Sequence, residues 1–294
     1  MRDLLRSRII NSVSGMFAHA ETPLAHTADY PEDPGLCGPG SVSWQVIGDV
    51  SVFVGGVRAL LIQAAHPEVV AGVDDHSRYR EDPLGRLSRT SFYITSATYG
   101  AMPEVTEAIA RVRTAHKAVS GYSERNRPYS ASTPEFAAWV HNTLTDSFLE
   151  AYQVFRGRLS EAEADQFVVE QTQVGEMLGA SPMPLSARDL RRWITSHPDL
   201  APSSGMHAAL RFLRNPPIPM LQKIGYQVLM NGAITTIPEP VNQVLGLSVP
   251  PGARVGCASL ILALRRIMAH SPAWQAGLER CGEPYDPRLF RDKR

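Results

Sequence analysis

Residues 133–152 read TPEFAAWVHNTLTDSFLEAY. Thr133 is suited to cap a helix, Pro134 to occupy its first turn, and Phe136, Val140, Leu144, Phe148 and Ala151 recur at steps of three and four. That stripe predicts a long amphipathic helix. Downstream, Ser160 followed three residues later by Glu163 has the form of a capping box, predicting a second helix to about Leu178. Upstream, PEVTEAIARVRTAHKAVSG (103–121) opens on a proline and places Val105, Ile109, Val112 and Val119 on one face. His116 stands on the same stripe, four residues past Val112.

Further helical candidates run from about Ser43 to Ala65, with a break expected at Gly55-Gly56, and over Leu84–Tyr99, which is too long for a typical strand. Others start at Ser186, ending near His197-Pro198, and cover 206–214, 220–231 and 253–269, with proline-rich joints at Asn215-Pro-Pro and Ile237-Pro-Glu-Pro. No alternating strand pairs, repeats or low-complexity tracts stand out. The fold class expected is all-α, with a loosely ordered segment over 1–39 and one helical domain over 40–294.

Composition narrows the functional classes. The 294 residues carry 29 Lys plus Arg against 29 Asp plus Glu, so no net charge favours nucleic acid or an anionic membrane. Three scattered cysteines, Cys37, Cys257 and Cys281, indicate neither a disulfide framework nor a structural zinc site. The N-terminal stretch lacks the continuous apolar run of an export signal, and Asp49 and Arg58 interrupt the longest apolar region. A cytoplasmic protein without an integral membrane segment is therefore expected. The glycine-rich run 35–40 lacks the Lys-Ser/Thr of a P-loop, and neither His-Glu-x-x-His nor Gly-x-Ser-x-Gly occurs.

Of the nine histidines, His19, His26, His197, His207 and His270 show no partner pattern and are expected at the surface or in loops. His66 precedes Pro67, where its helix should end. His116 and His141 differ, because each lies on or beside the apolar face of a predicted helix. A buried imidazole must spend its nitrogens on partners, and a metal is one such partner. In DPLGRLSRTSF, Arg86, Arg89 and Thr90 share one side of a helix, a pattern able to hold anionic groups or to form a solvated helix end.

The ordered series LLIQAAHPEVVAGVDDHS, DPLGRLSRT, VRTAHKAV and WVHNTLTDSFLEAY resembles the family of the rubber oxygenases and the endoplasmic-reticulum oxygenase of mycophenolic acid biosynthesis, over roughly residues 45–250. The resemblance implies a globin-like helical core and a haem b held by a histidine. It also implies an oxygenase acting with dioxygen on a hydrophobic small molecule, with oxidative cleavage of a C=C bond as the reaction. The family's Arg-x-x-Lys-Thr signature corresponds to Arg86-Leu-Ser-Arg89-Thr90, and His116 follows Thr90 by 26 positions. His116 is thus the implied iron ligand, with His141 the fallback, and Arg86 and Thr90 would attend the propionates or dioxygen. Arg89 departs from the family's lysine. A guanidinium stays charged and ligates metal poorly, so Arg89 is expected to supply fixed positive charge and not a resting-state ligand. A non-catalytic binder or sensor of haem or a hydrophobic ligand, and a haem-free helical protein, are the alternatives.

Overall fold

The structure, a computed structural model, describes Gly15, residues 22–268 and residues 271–284. The expectations for residues 1–14 and 16–21, including His19, and for His270 lie outside the described residues. Among those described, thirteen α-helices and one short hairpin make an all-α fold. The helices are α1 Val42–Ile47, α2 Val52–Gln63, α3 Pro67–His76, α4 Pro83–Tyr99, α5 Met102–His116, α6 Pro134–Phe155 and α7 Glu161–Met177. They continue with α8 Ala187–Thr195, α9 Ser204–Arg214, α10 Met220–Ile234, α11 Glu239–Leu245, α12 Ala253–Ile267 and α13 Pro272–Arg280. Strands β1 Ser120–Tyr122 and β2 Pro128–Ser130 pair antiparallel, with Gly121 opposite Tyr129.

The chain divides into two compact units. One comprises the residues up to Val50, Arg78–Val112 and the residues from Ile261 on. Its core gathers Leu24, Trp44, Tyr99, Trp274 and Leu278. Trp44 and Tyr99 meet edge to face at 5.0 Å, an arrangement that sets ring edge against ring face. Gly277 makes that packing possible, since a Cβ there would lie 2.7 Å from the Trp44 ring. The turn-rich stretch 22–39 is tied to this core by Arg280, which donates to the Asp33 carbonyl (2.7 Å), Thr27 Oγ1 (2.6 Å) and the Tyr99 carbonyl (2.7 Å). Asp49 takes a bidentate grip from Arg265 at 2.8 and 2.9 Å.

The other unit, Ser51–Ser77 and Arg113–Leu260, is built on α6. Helix α2 lies directly against it. A Cβ on Gly55 would come within 2.7 Å of the Phe148 ring and 3.0 Å of the Ser147 carbonyl, so the two backbones approach as closely as a glycine allows. Arg58, wholly buried, reaches from α2 to Asp146 Oδ2 (2.7 Å), Ser147 Oγ (2.8 Å) and the Thr236 carbonyl (3.3 Å). Arg191 of α8 adds contacts to Asp146 and Glu150.

The helix expected over 43–65 is interrupted at residues 48–51 and runs unbroken through Gly55-Gly56. Gly55 serves close packing, and the flanking helix sustains its conformation. The capping box forms as expected, with Ser160 and Glu163 bonding reciprocally. Thr133 stands at the N-cap of α6 but makes no side-chain cap bond.

Candidate functional site

Helix α4 begins where Asp82 accepts from the Gly85 N–H, and this cap also holds Arg89 at 3.3 Å. One turn on, the Thr90 hydroxyl donates to the Arg86 carbonyl at 3.0 Å. Arg86 is half-buried, with its guanidinium 5.7 Å above the Tyr79 ring; burial lowers its pKa, with Tyr79 opposing and Arg89 reinforcing the shift. Arg89 and Thr90 are exposed. Tyr93 continues the same helical face at the seven-residue step from Arg86. Its buried hydroxyl has no hydrogen-bond partner among the described residues, and burial raises its pKa. The four side chains make a polar stripe on one face of α4, all within the first unit.

His116, the last residue of α5, belongs to the second unit. It is half-buried, as the stripe through the buried Val105 and Ile109 led one to expect. Burial lowers its pKa, so the ring is neutral near pH 7, and among the described residues no hydrogen bond reaches it. A neutral imidazole is the form that ligates metal.

His141 is also buried, inside the second unit. Its Nε2 donates to the Gln171 carbonyl of α7 at 2.7 Å, and burial, opposed by that bond, lowers its pKa to about 4. Gly175 passes so near that a Cβ there would sit 2.9 Å from the His141 ring. The nitrogen that faces α7 is thus committed to holding α6 and α7 together.

A third group of histidines escaped the sequence reading. His197, expected at the surface, is buried, and His66 is 1% exposed. His66 does not end a helix: α2 stops at Gln63, and His66 stands at the N-cap position of α3. The rings of His66 and His197 lie 5.2 Å apart within a wall of Phe136, Trp139 and Trp193. Asp199 completes the cluster, since one ligand-type atom from each of His66, His197 and Asp199 lies within 4.8 Å of the others. A signal was present in the letters. The tripeptide His-Pro-acid occurs twice, as His66-Pro67-Glu68 and His197-Pro198-Asp199. The prolines set each histidine at a helix boundary, off the 3.6-residue stripe that periodicity detects.

The model of the family described as ER-bound oxygenase mpaB/B′/rubber oxygenase, catalytic domain, matches residues 44–270. The chain belongs to this family. Membership gives it the catalytic domain of an oxygenase, and the match spans α4, His116, His141 and the His66 cluster alike. No curated protein and no solved structure matches the chain. Among the described residues, no helix is long and apolar enough to cross a membrane.

Proposed function

We propose that this chain is a haem b-dependent oxygenase acting with dioxygen on a hydrophobic small molecule, with His116 as the iron ligand. The observation that carries the proposal is the state of the His116 ring: half-buried, shifted by burial toward the neutral form, and unspent on any hydrogen bond among the described residues. The chemistry of His116 suits the group. Neutral imidazole is the commonest protein ligand of haem iron, and a guanidinium is the side chain that best matches a carboxylate. His141 is the weaker ligand candidate, because iron at its Nε2 would displace the 2.7 Å bond to Gln171.

Bound haem supplies an iron that activates dioxygen, with oxidative cleavage of a C=C bond as the reaction class. This chain's own residues bind, orient and shield. His116 presents a ring nitrogen without first losing a proton. Arg86 binds a carboxylate from a half-buried position, where water competes poorly. Arg89, exposed on the same helix, contributes electrostatic attraction. The hydroxyls of Thr90 and Tyr93 offer hydrogen bonds on the same face.

Haem content measured as the pyridine complex tests the assignment in protein produced with ample haem. The wild type should hold about one haem per chain, and His116→Ala should hold little while keeping its helical circular dichroism. Retention by His116→Ala with loss by His141→Gln would move the ligand to His141. A wild type without haem would refute the proposal.

A further inference from the structure

We propose that His66, His197 and Asp199 form a binding site for one divalent first-row transition-metal ion, using none of the residues assigned to haem. Buried polar atoms normally find hydrogen-bond partners, yet among the described residues neither nitrogen of the fully buried His66 has one. Glu68 Oε2 lies 3.4 Å from His66 Nδ1 without hydrogen-bond alignment. A carboxylate at that nitrogen favours the proton there and leaves the Nε2 lone pair for a metal, the arrangement in which a second acid orients a ligating histidine.

The rest of the donor set follows from the repeated His-Pro-acid tripeptide. His197 is 6% exposed, and among the described residues its Nδ1 accepts one long 3.3 Å bond, from the Asp199 N–H. Ligation through Nδ1 replaces that bond, and ligation through Nε2 moves the proton to Nδ1 and breaks it. The cost in either case is one weak contact. Arg125 and Arg127 both address Asp199 Oδ1, and no hydrogen bond to Oδ2 occurs among the described residues. Four ionic side chains frame the cluster: Arg125 and Arg127 against Glu68 and Glu135, the latter 4.0 Å from His197 Nε2. These cancel, so the charge of Asp199 remains to offset a cation.

Size and chemistry select the ion. Ligand atoms at about 2.1 Å from a tetrahedral metal stand about 3.4 Å apart, so a cluster spread over as much as 4.8 Å needs only small side-chain rotations to close. Two imidazoles and one carboxylate suit Zn²⁺, Fe²⁺, Co²⁺ or Ni²⁺ and not the oxygen-seeking Mg²⁺ or Ca²⁺. Three protein ligands leave a position for water, the mark of an open site. The walls of Phe136, Trp139 and Trp193 limit other access.

Equilibrium dialysis of the chelator-treated full chain against Co²⁺ tests the site. About one ion per chain is expected, displaced by Zn²⁺. Trp139 and Trp193, with ring centres 4.9 and 5.1 Å from His197, should lose emission as paramagnetic Co²⁺ enters. Asp199→Asn alters a side chain that is 28% exposed and should fold normally while binding Co²⁺ at least tenfold more weakly. His197→Gln should do the same. His116→Ala should bind Co²⁺ like the wild type, which separates this site from the haem assignment. No Co²⁺ uptake by the wild type, or undiminished uptake by both Asp199→Asn and His197→Gln, would overturn the proposal.

Discussion

Asp146→Asn isolates the charge at the centre of the second unit without changing its shape. Asp146 is 2% exposed, with Oδ2 2.7 Å from the fully buried Arg58 and Oδ1 2.7 Å from Arg191. The amide removes the anion in contact with Arg58 and leaves Glu150 to act on it from farther away. Arg191 keeps Glu150 at 2.8 Å, whereas the hydrogen bonds left to Arg58 among the described residues are to Ser147 Oγ and the Thr236 carbonyl, neutral acceptors that do not balance its charge. Breaking one side of a buried ion pair costs about 3–5 kcal/mol. The surviving neutral bonds place this case near the lower end, about 3 kcal/mol. At about 2–4 °C per kcal/mol for chains of 150–250 residues, Tm should fall by roughly 6–12 °C. Burial works to raise the Asp146 pKa, but Arg58 and Arg191 outweigh it and hold it below the ordinary carboxylate value. The wild-type advantage is therefore full above about pH 4 and shrinks as pH falls further. Scanning calorimetry at pH 7 and pH 3 measures both effects. Glu161→Gln, breaking the exposed pair with Arg188, supplies the contrast at under about 1 kcal/mol. If Asp146→Asn costs no more than Glu161→Gln at pH 7, the reasoning is refuted.

Gly55→Ala should destabilise by about 1–3 kcal/mol, read as a lower urea midpoint, because its Cβ meets the Phe148 ring at 2.7 Å. Ser160→Ala should cost about 0.5–2 kcal/mol in the same measurement by undoing the capping box of α7. The folded His141 has a pKa of about 4 against an unfolded value of about 6.5, so its stabilising contribution is complete above pH 6.5 and declines toward pH 4. His141→Gln should accordingly flatten the dependence of Tm on pH over that interval. An unchanged profile would show that His141 does not titrate as its burial dictates.

The helices were legible where local chemistry set their ends. Ser160 with Glu163 marks one start, and Asp82-Pro83 another, because caps and first-turn prolines act within a few residues. Periodicity misled within α6. Val140 was placed on the buried stripe yet is 38% exposed, while its neighbour Trp139 is wholly buried. Packed by α2, α7 and α8, α6 buries Asn142, Thr143, Thr145 and Asp146 as well as apolar residues, so polarity no longer marks a face. Helices α3 and α11 were missed, each opening on or beside a proline read as an ending or a joint, and α13, which opens on Pro272, carried no expectation. His116, on the stripe through the buried Val105 and Ile109, is half-buried. The His66 cluster joins segments about 130 positions apart, and spacing within one helix carries no trace of such a pairing. Only the repeated tripeptide hinted at it.

The central claim rests on one imidazole, and chemical rescue tests it most directly. His116→Gly deletes the ring, and free imidazole added to the variant takes its place. The account predicts that the haem Soret band is lost in His116→Gly and returns with millimolar imidazole, close to the wild-type position. A His116→Gly protein that keeps the wild-type spectrum without imidazole would contradict it.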